Sequence, residues 1–211
     1  METTNNEICR ALAELSVAQG VRHAVLSPGS RNAPLLVAFA RETAISHYVV
    51  IDERVAAFMA VGMAARLQEP VVLVCTSGTA LLNYAPAVAE AYYRHVPLIV
   101  ISADRPDEWI DQDDSQTIRQ RGIFAPFVKS SYHLPVDAGD ELNMWYATRM
   151  INEAMLAAGA STPGPVHINV PLREPLCGTA GYTPGKYRKM QMMRPARQLA
   201  AADLSALTTE F

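Results

Sequence analysis

Only three cysteines occur in the 211 residues, at Cys9, Cys75 and Cys177. Their odd number, wide spacing and missing CxxC pair argue against a disulfide framework and a cysteine-ligated zinc site. Lysine and arginine total 18 against 21 acidic residues and form no stripe, so no electrostatic footprint for nucleic acid is visible. The one basic stretch, Lys186 to Lys189 with Arg194 and Arg197, lies in a polar tail and reads as a solvated linker. No apolar run approaches membrane-spanning length, and METTNNEICR shows no basic start followed by an apolar stretch. A reducing, cytoplasmic setting with no membrane partner is the expectation. The histidines His23, His47, His95, His133 and His167 show no HExxH spacing and read as core-edge or surface residues.

What is present is an ordinary core-forming composition, half hydrophobic and 18% charged. Short β-rich runs alternate with longer amphipathic stretches. Helices are expected over Asn5 to Gln19, Ala33 to Arg41, Glu53 to Leu67, Leu81 to Tyr93 and Met144 to Ala158. Strands are expected at His23 to Leu26, His47 to Ile51, Val71 to Cys75, Leu98 to Ile101 and Val166 to Val170. Cys75 ends a continuous apolar run and reads as a buried thiol. Near-continuous Val/Ile/Leu runs separated by helices predict an α/β fold, a mostly parallel sheet of about five or six strands with helices on both faces. From about Gly178 the pattern fades. Residues 1–178 therefore read as one domain and 179–211 as a linker toward a further domain, closing in a weak helical segment at Phe211.

In such sheets ligands gather beyond the carboxyl ends of strands, so four loops matter. The first is Ser27-Pro28-Gly29-Ser30-Arg31-Asn32, where Ser30 and Asn32 can cap the next helix and Arg31 can grip a carboxylate. The second is Asp52-Glu53-Arg54. Asp52 suits an N-cap and Glu53 suits the helix dipole, which alone would account for both. The third, Thr76-Ser77-Gly78-Thr79, is a small polar turn; it is neither a GxxxxGK[ST] phosphate loop nor a GxSxG elbow. Backbone N–H groups of such a turn can hold an anion, but ordinary capping explains it too. The fourth is Ser102-Ala103-Asp104-Arg105-Pro106, an arginine beside a carboxylate.

Taken in order, LSPGSR, DER, TSGTA, ADRP, QTIRQ (Gln116 to Gln120) and HINVPLREPL (His167 to Leu176) resemble the MenD family of thiamine-diphosphate enzymes. The resemblance spans about residues 5 to 178. It implies a thiamine-diphosphate pyrimidine-binding domain of a synthase joining isochorismate to a unit obtained by decarboxylating 2-oxoglutarate, in menaquinone biosynthesis. By matching position, Glu53 is the glutamate that bonds the aminopyrimidine ring and serves acid/base chemistry. Pro28, Gly29, Thr76, Ser77, Gly78 and Thr79 match the pocket for that ring. Ser30, Arg31, Arg105 and Gln116 match positions near the substrates. Asp113-Asp114-Ser115 departs from the family pattern, which ranks Ser115 low as a contact. The family's Mg2+ and diphosphate are held through a Gly-Asp-Gly segment that does not occur here, so no metal ligand is expected in this chain. The resemblance further implies a homodimer or larger homo-oligomer, with half a site in this chain and no turnover by it alone. Another thiamine-diphosphate carboligase, or a non-catalytic module of the same fold, remains open.

Overall fold

The computed structural model describes residues 2–192. A three-residue strand β1 (Glu2–Thr4) precedes helix α1 (Glu7–Ala18), whose N-cap Asn6 accepts a hydrogen bond from the Cys9 N–H. Then come β2 (His23–Leu26), α2 (Ala33–Arg41), β3 (Ser46–Val49), α3 (Glu53–Leu67) and β4 (Val71–Cys75). They are followed by α4 (Thr79–Leu82), α5 (Ala85–Tyr93), β5 (Leu98–Asp104), β6 (Ser130–His133), α6 (Glu141–Ala158), β7 (Val166–Pro171) and β8 (Thr179–Gly181).

Six strands form one parallel sheet in the order β3-β2-β4-β5-β7-β6. The period-2 alternation of a strand sends Ala24, Leu26, Val72, Val74, Ile99 and Ile101 into a core shared with α1, α2 and α6. Val25, Leu73, Cys75, Leu98 and Val100 point the other way, onto α3, α4 and α5. Both faces are covered, which is why β4 and the first four residues of β5 are continuous apolar runs. The expected fold is the observed one.

Four local differences have physical causes. The segment read as one helix is two, α4 and α5, broken before Pro86, which occupies the first turn of α5. Strand β6 carries the string Ser-Ser-Tyr-His and lies at the sheet edge, where no apolar run is required. Strand β8 pairs antiparallel with β1, so the stretch after Gly178 returns to the domain. That stretch is tethered further on, because Asn152 accepts from the Met190 N–H and donates to the Arg188 carbonyl. His167 is fully buried rather than at the core edge. Lys186, Arg188 and Lys189 are exposed, while Arg194, Arg197 and the closing helical segment lie outside the described residues. Among the described residues, no helix is long and apolar enough to cross a membrane. Cys9 and Cys75 are buried free thiols and Cys177 is exposed.

Candidate active site

The order of the sheet reverses at β2, whose sequence neighbour β3 lies on one side while β4 lies on the other. The loops leaving β2 and β4 therefore diverge to opposite faces and leave a crevice between them. Tyr84, fully buried, pins its floor: its hydroxyl donates to the Val74 carbonyl at 2.9 Å and lies 3.1 Å from Ser27 Oγ. Asn32 does not cap α2 through its side chain. Its amide instead braces the loop, donating to the Ser27 carbonyl at 2.8 Å and accepting from the Gly29 N–H at 2.9 Å. Gly29 packs so closely on the next loop that a Cβ there would stand 2.5 Å from Thr76 Cβ. Pro28, Gly29 and Thr76 thus form one wall.

Asp52 caps α3 as expected, accepting the Val55 N–H at 2.9 Å. Glu53 is the first helical residue and is half-buried. It lies near enough for its charge to act on Cys75 and Tyr84. Burial pushes the Cys75 thiol up and the Glu53 carboxylate adds to the shift. The Tyr84 hydroxyl is also pushed up, by burial first. Both stay neutral. On the outer side of α3, Val55 and Phe58 are 54% and 46% exposed, with Ile51, just before the helix, 81% exposed.

The turn after β4 is not a free anion cradle. Gly78 adopts φ 80° and ψ −145°, a conformation essentially restricted to glycine, and its N–H donates to Gln120 Oε1 at 2.7 Å. Ser77 Oγ donates to the Gln116 carbonyl at 3.0 Å, and Gln116 Nε2 donates back to the Ser77 carbonyl at 3.2 Å. Gln116 is thereby committed to the turn. Thr79 and Ser30 are exposed.

Beside the crevice, the loops after β2, β5 and β7 line a cavity of about 570 Å³ with Arg31, Arg105 and Arg173, together with Trp109, Asp114 and Ser115. Arg31 is buried, donating to the Leu172 carbonyl at 2.9 Å and to Glu174 at 3.0 Å. Burial, then the neighbouring Arg105, lowers its pKa, and Glu174 opposes this; a guanidinium stays charged regardless. Arg105 pairs with Asp114, not with the adjacent Asp104, and donates to the Ser115 carbonyl at 2.9 Å. That pairing holds the Asp114 carboxyl below its usual range. Arg173 pairs with Glu108. Three guanidiniums facing one cavity suit a ligand with more than one carboxylate. Trp109 had no place in the sequence reading, and Arg173 stood only within the family string, without a role. Arg173 follows β7 directly, so the strand-end rule that picked out Arg31 and Arg105 could have found it.

Comparison with known proteins agrees with this geometry. Residues 7–123 match the family described as thiamine pyrophosphate enzyme, N-terminal TPP binding domain. Similar proteins include the 2-succinyl-5-enolpyruvyl-6-hydroxy-3-cyclohexene-1-carboxylate synthase of Porphyromonas gingivalis, 52% identical over 95% of this chain and 35% of that protein. Those of Desulfotalea psychrophila and Christiangramia forsetii are 54% and 45% identical, over 79% and 85% of this chain and 31% and 33% of theirs. The chain spans about a third of the length of these curated relatives. With the matched segment running from α1 through the β2 and β4 loops and past Gln120, the chain belongs to the thiamine pyrophosphate enzymes, by their N-terminal TPP-binding domain.

Proposed function

We propose that this chain is the pyrimidine-binding domain of a transferase that decarboxylates 2-oxoglutarate and adds the succinyl-semialdehyde unit to isochorismate, in menaquinone biosynthesis. The observation that carries the reading is one loop: the segment after β2 packs Gly29 on Thr76 and places Arg31 in a cavity also lined by Arg105 and Arg173. A half-buried carboxylate at the start of α3 suits an aromatic ring with a basic nitrogen, so Glu53 fits the aminopyrimidine half of thiamine diphosphate. The bound cofactor supplies the electron sink that lets a 2-oxoacid lose CO2. Glu53 shares a proton with the ring nitrogen and fixes its protonation state. Pro28, Gly29 and Thr76 wall the ring, with Ser77, Gly78 and Thr79 contributing mainly backbone. Arg31 and Arg105 take substrate carboxylates, since both substrates are dicarboxylates, and Ser30 and Gln116 stand at the mouth.

Among the described residues, no group of three or more His, Cys, Asp or Glu is placed to hold a metal ion. In this reading Mg2+ and the diphosphate are held by protein outside this chain. That protein belongs to another copy in a cytoplasmic homodimer or larger homo-oligomer, and this chain alone does not turn over. Supporting this is the exposed apolar outer side of α3, Val55 and Phe58 with Ile51 before it, which a partner surface would cover.

The test is turnover by the complete protein, supplied with thiamine diphosphate and Mg2+, on 2-oxoglutarate plus isochorismate and separately on pyruvate. Product from the first pair alone is expected. Preference for pyruvate would make it a different 2-oxoacid carboligase. Failure to bind cofactor or turn over either would leave a non-catalytic module.

A further inference from the structure

On the α3–α5 face, the part of the sheet over β5 and β7 is covered by the loop that carries Gln120 and Phe124. The strand residues beneath it are polar: Ser102, His167 and Asn169 are all buried, with Gln120 above them. Buried polar atoms are costly unless paired, and here the pairing is complete. Gln120 accepts the Gly78 N–H with Oε1, at 2.7 Å, and donates with Nε2 to the Ala103 carbonyl at 3.0 Å and to Asn169 Oδ1 at 2.8 Å. Asn169 donates with Nδ2 to Asp104 Oδ2 at 2.7 Å and to His133 Nδ1 at 2.9 Å. Asp104 closes the path by accepting the Arg105 N–H at 2.8 Å.

Each amide orientation is fixed by a group with only one role. Gly78 N–H can only donate, while the Ala103 carbonyl and the Asp104 carboxylate can only accept. The remaining protons then have one arrangement. Ser102 lies 2.8 Å from Asn169 Oδ1 and must donate to it, so its oxygen accepts from His167 Nε2, also at 2.8 Å. His167 is neutral with its proton on Nε2. His133 accepts at Nδ1, so its proton is on Nε2, facing Asp107 at 3.3 Å.

We infer that Gln120 and Asn169 are positioning residues that hold the Ser77–Gly78 turn and the Arg105 loop in one fixed relation. A continuous path of four hydrogen bonds joins the strained Gly78 amide to the Arg105 amide, through the side chains of Gln120, Asn169 and Asp104, none of which lines the arginine cavity. The inference deepens the proposed function, since it links the wall for the cofactor ring to a cation for the substrate.

Its test has two arms. In the 211-residue chain, Gln120→Met keeps the side-chain length but removes both hydrogen-bonding roles. Amide exchange at Gly78 should rise at least tenfold, while Leu73 and Val100 in the strands change less than twofold. A uniform rise would mean a merely structural role, and an unchanged Gly78 would overturn the inference. Imidazole 15N shifts of the wild-type chain, free of any folding risk, should show both His167 and His133 protonated on Nε2. An Nδ1 proton on His133 would reverse the Asn169 amide and break the path. In the complete protein, Gln120→Met should raise the apparent KM for thiamine diphosphate more than tenfold with a smaller change in kcat; an unchanged KM would sink the inference. The first arm is indifferent to which reaction is catalysed, so a failed substrate assignment leaves it readable.

Discussion

Asp104 and His167 share one buried network and titrate in opposite senses. Burial, against the hydrogen bond from Asn169, raises Asp104 to about 6, and burial lowers His167 to about 3. Asp104 binds its proton more readily folded than unfolded, so its contribution to stability is full below about pH 4 and lost as pH rises through 6. His167 must stay neutral to fold, so its contribution is full above about pH 6.5 and lost as pH falls toward 3. The two slopes oppose each other between about pH 4 and 6. Asp104→Asn removes one of them. The stability of the wild type minus that of the variant, from urea unfolding, should fall by on the order of 2–3 kcal/mol between pH 4 and pH 7; a flat or rising difference would show that Asp104 is not desolvated. Glu53 calls for a different measurement. Glu53→Gln keeps shape and helix position, so chain stability should stay within about 0.5 kcal/mol, while turnover by the complete protein should drop by roughly 10²–10⁴. Turnover near wild type would return Glu53 to a helix-end acid. On spacing alone it could not be told from one, because a first-turn glutamate satisfies the helix dipole whether or not a ligand ever meets it.

Elements declared themselves in the sequence where burial was complete and hid where it was not. Strands β4 and β5 are apolar runs because both faces are covered, whereas β3, an edge strand, leaves all four residues exposed. In β7 the alternation of Val166, Ile168 and Val170 with His167 and Asn169 resembles a half-solvated strand. Its polar face is in fact sealed under Gln120, whose partner residues lie 17 and more positions away and leave no local signal. Two glycines give the elements a test with opposite signs. Gly78 needs φ +80, and a Cβ there would meet the Gln116 backbone at 2.7 Å, so Gly78→Ala should cost roughly 1–3 kcal/mol. Gly62 lies inside α3 with nothing within 4 Å, so Gly62→Ala should stabilise the chain by about 0.5–1 kcal/mol. Thermal or urea melts of the two variants check both; equal effects would mean that the Gly78 turn carries no strain.

At the scale of the molecule, topology and the loops that matter were readable because the strand-end rule depends only on element order. The roles of Trp109 and Gln120 were not, since the long segment between β5 and β6 brings them in. One surface remains to be accounted for. Helix α3 buries Ala56, Ala57, Ala60 and Ala64 against the sheet, but its opposite side shows Val55 and Phe58 to solvent, with Ile51 just before it. An amphipathic helix at a finished surface would place charge there. If a second copy covers this side and completes the Glu53 crevice, Phe58→Glu should be tolerated in the isolated chain, because an exposed substitution changes stability by no more than about 0.5 kcal/mol. In the complete protein the same change buries a charge in an apolar contact. Sedimentation should then show the assembly falling toward single protomers, and the apparent affinity for thiamine diphosphate should fall with it. An unchanged assembly would mean that this side of α3 is covered by something else or by nothing, and the proposed placement of the diphosphate domain over Glu53 would have to be abandoned.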